Sequence, residues 1–499
     1  YPVMDPIRFS LVAINLSNSN IATRENRIGS ITGYVGTLKD LASQSECGTL
    51  KGCSRCFSQS STCLSSCGLG QLSGIRDVAI IHHGPAGCSV AGANSYYMSK
   101  VMAKKRGVTS DTIYVGTDMN ENDTIFGSTE TLRKVILEVN KRYSPKAIFV
   151  SSSCATGIIG EDIDSIVDDV RNEVGVPIVA VHCEGFKSRI WATGFDIADH
   201  AVLQEIVQPP REGVKTNKIN FKNFYESARP EIIEMFRKFD LEPVFLYCNS
   251  TVEELSHLSE SIATTCICGT LGNYLGNGLE EKYGVPYVRS INQCGITGFE
   301  TWLREIGKVT GRSEKIEKYI EEQRAIYLPQ IEEVKKELTG LTAVLGMGPG
   351  YTFEVSRVLA ELGIKVVWAL AWHYDKKYEN GDVPPSMKYL LDNDIDFEAS
   401  VADQQNYEVM NILHKYQPDM YLSRHPGSTV WAIKNGTPAI YVADEYMIFG
   451  YKHTLEFAKT ILDAVKNRSF EENLARRSKL PYTDWWYKQD VATFLEEAK

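Results

Sequence analysis

No run in this 499-residue chain approaches the roughly 18–20 uninterrupted apolar residues that a membrane-spanning helix needs. A basic excess is missing as well: 53 Lys and Arg stand against 63 Asp and Glu, a net charge of −10. That balance argues against nucleic acid as a partner, because a phosphate backbone calls for a concentrated basic face. The opening stretch YPVMDPIRFSLVAINLS lacks the basic-then-apolar layout of a secretory signal, and no Walker A motif occurs. The expectation is a cytoplasmic protein with no membrane contact, working with small molecules and other proteins. If ATP drives its chemistry, ATP binds another chain. Low-complexity tracts and short repeats are absent, and no cysteine follows Cys294.

What remains is rich in thiol. Twelve cysteines are many for a reducing compartment, where clustered thiols serve metals or redox work more often than disulfides. Cys47, Cys53, Cys56, Cys63, Cys67 and Cys88 fall in the first fifth of the chain. The pair CSRC (53–56) suggests zinc or a redox couple, but no second pair completes a zinc site.

Single cores stop growing near roughly 250–300 residues, so two to four domains are expected. Strand, loop and helix alternate throughout. In PKAIFVSSSCATGIIGEDIDSIVDDVRNEVGVPIVAVHCEGF an apolar run at 147–151 leads to Cys154, an amphipathic helix starts near Glu161, and a second run at 177–182 leads to Cys183. In open α/β sheets ligands collect at such strand ends. The reading is α/β, with three Rossmann-like domains of parallel sheets around a buried metallocluster. Its parts are an N-terminal extension at 1–50, domain I at 51–215, domain II at 216–338, domain III at 339–470 and a tail at 471–499. The tail is expected to pack back on the body or on a partner. The glycine run GMGPG (346–350) is a poor nucleotide turn because Pro349 breaks G-x-G-x-x-G. Gly348 and Gly350 are expected to face some other ligand.

Cys63, Cys88 and Cys154 each sit in a Gly- or Ser-rich loop: TCLSSCG, HGPAGC and SSSCATG. Small neighbours let several thiolates reach one bulky inorganic cluster. Spacing alone leaves an equal alternative, that these are small buried hydrophobes at strand ends.

Five ordered motifs decide between them. IRDVAIIHHGPAGCS, TDMNENDTIFGSTETLRKVI, SSCATGIIGEDID, VHCEGF and NYLGNGLEEKYGVPY resemble, in order, the strand and HGPxGC cysteine, the D-x-x-E-x-D-x-x-F-G segment, the C-x-x-G-x-I-G-D-D-I loop, CEGF and the NYI…MEEKYGIPW of the nitrogenase component 1 α-subunit family. The resemblance implies that Cys88 and Cys154, with Cys63 before its spare Cys67, are ligands of an eight-iron P-cluster (8Fe-7S) shared with a β-like, K-type subunit. It implies an α2β2 heterotetramer fed by an ATP-hydrolysing Fe-protein-like reductase, ATP being bound only there. Cys268, in register with NYL and EEKYG, would hold a second eight-iron cluster, like the FeMo-cofactor or its iron-only precursor. His83 matches the family's HG histidine; neither it nor His82 is assigned a direct chemical role.

The sequence also departs from that pattern. The family's far-end histidine falls at Tyr441 to Ala443, where no histidine stands. His373 in AWHYD and His425 in SRHPGS follow strands of the third region and are the candidate ligands or proton donors. After CEGF the family's Gln and His become Trp191 and Phe195, giving a pocket with more aromatic surface and fewer proton donors. These departures most resemble the methylthio-alkane reductase branch, which implies reductive C–S cleavage of small thioethers to methanethiol and hydrocarbon. An N2-reducing α subunit and a cofactor-assembly scaffold are the alternatives, with a tetrapyrrole reductase behind them.

Overall fold

The computed structural model describes residues 14–55, 63–222, 228–289, 293–376, 383–403, 405–442 and 448–496. Three parallel sheets organise it. The first runs Ile113–Gly116, Val78–His82, Ala147–Ser151, Ile178–Val181 in spatial order. Its two central strands are buried along their whole length. Helices cover both faces of such a sheet, which is why these strands read as continuous apolar runs rather than alternating ones. One covering helix, Ile163–Val174, buries Ile163, Ile166, Val167, Val170 and Val174 at helical spacing. Asp162 caps its start by accepting from the Ser165 N–H at 3.1 Å, and Gly175 ends it at φ 69°.

The second sheet has three strands, with Lys218–Lys222 central between Glu242–Leu246 and Ala263–Cys266. The central strand carries little strand signal in the sequence, because KINFK has a lysine at each end. Lys222 is nonetheless buried, with its ammonium paired to Asp199 and 5.0 Å from the Tyr247 ring centre.

The third sheet is the largest, in the order Gly33–Thr37, Glu398–Ala402, Lys365–Ala371, Thr342–Met347, Met420–Ser423, Ala439–Tyr441. All of its pairings are parallel except the first, where Gly33–Thr37 runs antiparallel to Glu398–Ala402. Part of the expected N-terminal extension is thus an edge strand of the third sheet. The second and third sheets also share one continuous core, in which Phe221, Phe236, Trp302 and Phe449 belong to the same apolar cluster as Leu345 and Leu422. The tail packs back on the body, as expected: Leu495–Glu496 pairs with Ser54–Arg55, and buried Trp486 donates from Nε1 to the Tyr407 carbonyl at 3.1 Å. None of the described helices is long and apolar enough to cross a membrane.

Candidate metallocluster sites

The thiols singled out from the sequence share a placement. Cys63 is the N-cap of helix Leu64–Leu72, Cys88 lies in the first turn of Ala86–Lys105, Cys154 opens Cys154–Ile159, and Cys268 is the N-cap of Gly269–Tyr283. Helix N-termini present unpaired N–H groups and a partial positive charge, so each thiol sits where a thiolate or a sulfide is favoured.

Cys63 and Cys154 converge on Gly185, the glycine of CEGF. A methyl group placed there would lie 3.4 Å from Cys154 Sγ and 3.9 Å from Cys63 Sγ. Cys88 lies close enough to both for their charges to act on it, and its thiol pKa is raised, by burial first and then by Cys154 and Cys63. Among the described residues no three His, Cys, Asp or Glu side chains close around a point as a single ion requires. The thiols instead ring a wider space kept open by a glycine, a donor set that fits a multi-iron sulfide cluster better than one ion. Cys63 is exposed and Cys88 and Cys154 half-buried. Around them lie exposed apolar side chains: Val90, Ile158 and Phe186, which follow Cys88, Cys154 and Gly185 in the chain, with Phe126 at 82% exposure.

Cys67 and Cys183 do not share this placement. Cys67 is buried with Ile190, Ala192 and Phe195. Cys183, expected at a strand-end site beside Cys154, is fully buried core, and burial pushes its thiol up to about 12. Of the CSRC pair only Cys53 lies within the described residues. His83 is held at both ring nitrogens, by Thr117 Oγ1 at 2.9 Å and Ser128 Oγ at 3.0 Å. His82 meets Ser151 Oγ at 3.2 Å through Nδ1, and its Nε2 has no partner.

A second, buried site forms around Cys268, which is 3% exposed. Burial raises its thiol pKa, against hydrogen bonds from Thr270 and the Leu271 N–H and the charge of Arg24. Metal coordination would remove that proton outright. The neighbouring Cys266 is spoken for, with Sγ 3.1 Å from the Tyr287 hydroxyl.

Arg24, which the motifs do not reveal, ties the site together. Its guanidinium grips Asp196 through Nε at 2.9 Å and Nη2 at 2.7 Å, donates to the Thr270 carbonyl, and lies 3.5 Å from Asp375. Burial would raise the Asp196 carboxyl, but Arg24 and Arg27 hold it below its usual range. One guanidinium therefore joins the first turn of the helix that Cys268 caps to the loop after His373. Gly350 lines the narrow cleft of about 20 Å3 between them, with Gly269, Thr270, Tyr374 and Asp375. A multi-iron body enters there only if these walls part. Gly348 caps helix Pro349–Glu361, and a methyl group on it would lie 3.7 Å from the Trp372 ring.

Trp191 anchors an aromatic wall, with ring centres 5.7 Å from Phe195, 5.8 Å from Trp372 and 6.3 Å from His373. Its indole N–H donates to Asp403 Oδ1 at 3.2 Å. His373 is 1% exposed, and burial lowers its pKa to about 4. His425, expected to reach the pocket, instead caps its own helix, with Nδ1 accepting the Ser428 N–H at 3.0 Å. Of the stretch expected to replace the far-end histidine, Tyr441 is 40% exposed and Val442 buried, while Ala443 lies outside the described residues.

Comparison with known proteins matches residues 63–466 to the family described as nitrogenase component 1 type oxidoreductase. The nitrogenase molybdenum-iron protein alpha chain of Methanosarcina barkeri is 29% identical over 326 residues, 63% of this chain and 60% of that one. The nitrogenase iron-molybdenum cofactor biosynthesis protein NifE of Methanococcus maripaludis is 27% identical over 78% of this chain and 80% of its own length. Among solved structures, nitrogenase Cp1 at pH 6.5 superposes with a TM-score of 0.67 at 20% identity, covering 85% of this chain and 91% of that one.

Proposed function

We propose, from the premise that this chain belongs to the nitrogenase component 1 type oxidoreductase family, that it is the catalytic α-type subunit of a nitrogenase-like reductase cleaving C–S bonds. Membership implies iron–sulfur clusters. Cys63, Cys88 and Cys154 would hold a P-cluster with a β-like subunit, and Cys268 would hold a buried eight-iron cofactor. The observation that carries this reading is the grouping of Cys63 and Cys154 at Gly185, with Cys88 close enough to feel the charge of both, apart from a fourth thiol buried at a helix start.

The exposed apolar side chains beside the three thiols suit a permanent partner, since apolar surface of this kind marks interfaces. Electrons would come singly from an ATP-hydrolysing reductase. When bound, the clusters would supply reducing equivalents at low potential.

The chain's own residues shape the substrate. With its N–H committed to Asp403, Trp191 offers ring surface alone, and Phe195 and Trp372 extend it. Such a wall favours a methyl group and a thioether sulfur, which pack well on aromatic rings. It offers little to stabilise the charged or strongly hydrogen-bonding intermediates of N2 reduction. The net reaction is R–S–CH3 + 2e− + 2H+ → R–H + CH3SH.

Deletion of the gene from cells growing on a thioether as sole sulfur source is expected to abolish growth and methanethiol release. Release that survives deletion overturns the reading. A scaffold that carries an iron-only precursor is the second reading, favoured by the long match to NifE. It predicts a purified complex that donates its cluster to an acceptor protein without turning over a thioether.

A further inference from the structure

Eight residues near the start of the chain, Arg24 to Ile31, reach the carboxyl ends of all three sheets, where ligands of α/β proteins collect. At the first, the Glu25 carboxylate accepts from the Ser188 hydroxyl at 2.8 Å and from the N–H groups of Arg189 at 2.6 Å and Ile190 at 3.2 Å. These three donors lie in the loop after strand Ile178–Val181. At the second, Arg24 donates to the Thr270 carbonyl, in the first turn of the helix that Cys268 caps. At the third, Ile31 and Tyr374 exchange backbone hydrogen bonds at 2.9 and 3.0 Å, the Ser30 hydroxyl donates to Asp375, and Arg24 lies 3.5 Å from the other oxygen of that carboxylate.

These fastenings are polar, and Ile31 alone of the eight side chains belongs to the apolar core. Polar contacts exchange for water at small net cost, whereas buried apolar surface does not. Even the deepest of them, Arg24 and Arg27 on Asp196, regains hydration when it parts. The segment is moored on both sides. Before it, the Leu16 and Asn18 carbonyls accept from Gln204 and His200; after it comes strand Gly33–Thr37. Gly29, at φ 66°, ends its short helix in a conformation that glycine adopts freely. A stretch held by polar bonds between two moorings can lift without unfolding what it covers.

What it covers is tightly shut. Thr270, Tyr374 and Asp375, three of its fastening points, are also walls of the cleft of about 20 Å3. Beside them His373 is 1% exposed with no partner at either ring nitrogen, a cost of the fastened state that water would relieve. Arg24 stands near enough to the buried Cys268 thiol for its charge to act there. We propose that residues 24–31 are a releasable strap, whose lifting opens the cleft where the three sheets meet and exposes the Cys268 thiol while the rest of the chain stays folded. The inference does not depend on what Cys268 holds.

The test is thiol access in the full-length chain, freed of iron by a chelator so that no metal shields a sulfur. The chain is treated with iodoacetamide at one pH, and the modified cysteines are read by mass spectrometry over time. In the wild type the exposed Cys63 should react first, and Cys268 should follow well ahead of Cys183, whose place in the core of the first sheet makes it a reporter of unfolding. Glu25→Ala removes the three hydrogen bonds of the strap to residues 188–190 and leaves Arg24 and Cys268 unaltered. It should speed Cys268 about tenfold and leave Cys183 as slow as before. Hydrogen exchange reads the strap itself: the Ile31 and Tyr374 amides should exchange ahead of strand Val78–His82, and faster in Glu25→Ala. Wild-type Cys268 that reacts no faster than Cys183 overturns the proposal, as does a variant that speeds both thiols equally or neither. The wild-type comparison stands even if the variant fails to fold.

Discussion

Arg24 and Asp196, 172 residues apart, close a two-pronged ion pair in which the side chains are 3% and 2% exposed. A pair this deep is costly to break from one side, because the remaining charge is left in a medium that solvates it poorly. Arg24→Ala should lower stability by about 3 kcal/mol, moderated by Arg27, which also reaches Asp196. Urea unfolding would measure it, and Arg24→Lys should recover part of the loss. Because the same guanidinium joins the helix start after Cys268 to the loop after His373, Arg24→Ala should also reduce iron at the buried site.

Gly185 should act as a size gate for Cys63 and Cys154. Alanine there meets Cys154 Sγ at ordinary contact distance, so Gly185→Ala should keep its iron. Gly185→Leu should fill the space between the thiols and lose the shared cluster with little change in circular dichroism. The φ of this glycine is not in the left-handed region, so backbone strain does not confound the comparison.

Two neighbouring cysteines should behave differently. Cys268→Ala should remove the buried cluster and lower total iron by about half, on the reading of two clusters of similar size. Cys266→Ala should leave iron unchanged and cost about 1 kcal/mol of stability, because Cys266 is a packed side chain touching Tyr287. Iron analysis of both variants, with thermal unfolding, checks the pair.

His182 should make stability depend on alkaline pH. Burial alone would lower its pKa, but hydrogen bonds to Asp164 at 2.8 Å and Glu184 at 3.4 Å lift it to about 9. A folded-state pKa above the unfolded value of about 6.5 stabilises fully below pH 6.5 and loses that contribution as pH rises through about 9. Stability should therefore fall by at most about 3 kcal/mol across that window. His182→Gln should flatten the profile, read by unfolding midpoints at several pH values.

The sequence made the architecture legible because parallel strands buried on both faces are short apolar runs, and each strand of the first sheet ends at or within three residues of a glycine, cysteine or histidine. Cys88, Cys154 and Cys268 were visible for that reason, each following a strand, and Cys63 through its small neighbours. Their common position at helix starts was not quoted in any motif, though SSSCATG and CICGTLG carry it as small residues around a cap. Arg24 was invisible because its meaning lies in Asp196, Thr270 and Asp375, which no local pattern connects to it. The same holds for Trp191, whose indole is committed to Asp403, 212 residues away. His373 and His425 look alike in sequence, each following a strand. They differ only in what the next residues offer: Ser428 gives His425 an N–H to accept, whereas His373 finds no local partner. Strand Gly33–Thr37 was missed because five residues containing two glycines carry little β signal.

That strand imposes an order on biosynthesis. Thr37 pairs with Glu398, 361 residues later, so at about 5–20 residues per second the ribosome takes roughly 20–70 s to deliver the partner. Throughout that interval an early segment has no mate, and the last sheet cannot close over the buried thiol. Cys268 itself emerges 130 residues before Glu398, so for roughly 7–26 s of that interval the thiol waits on a sheet that still lacks strands.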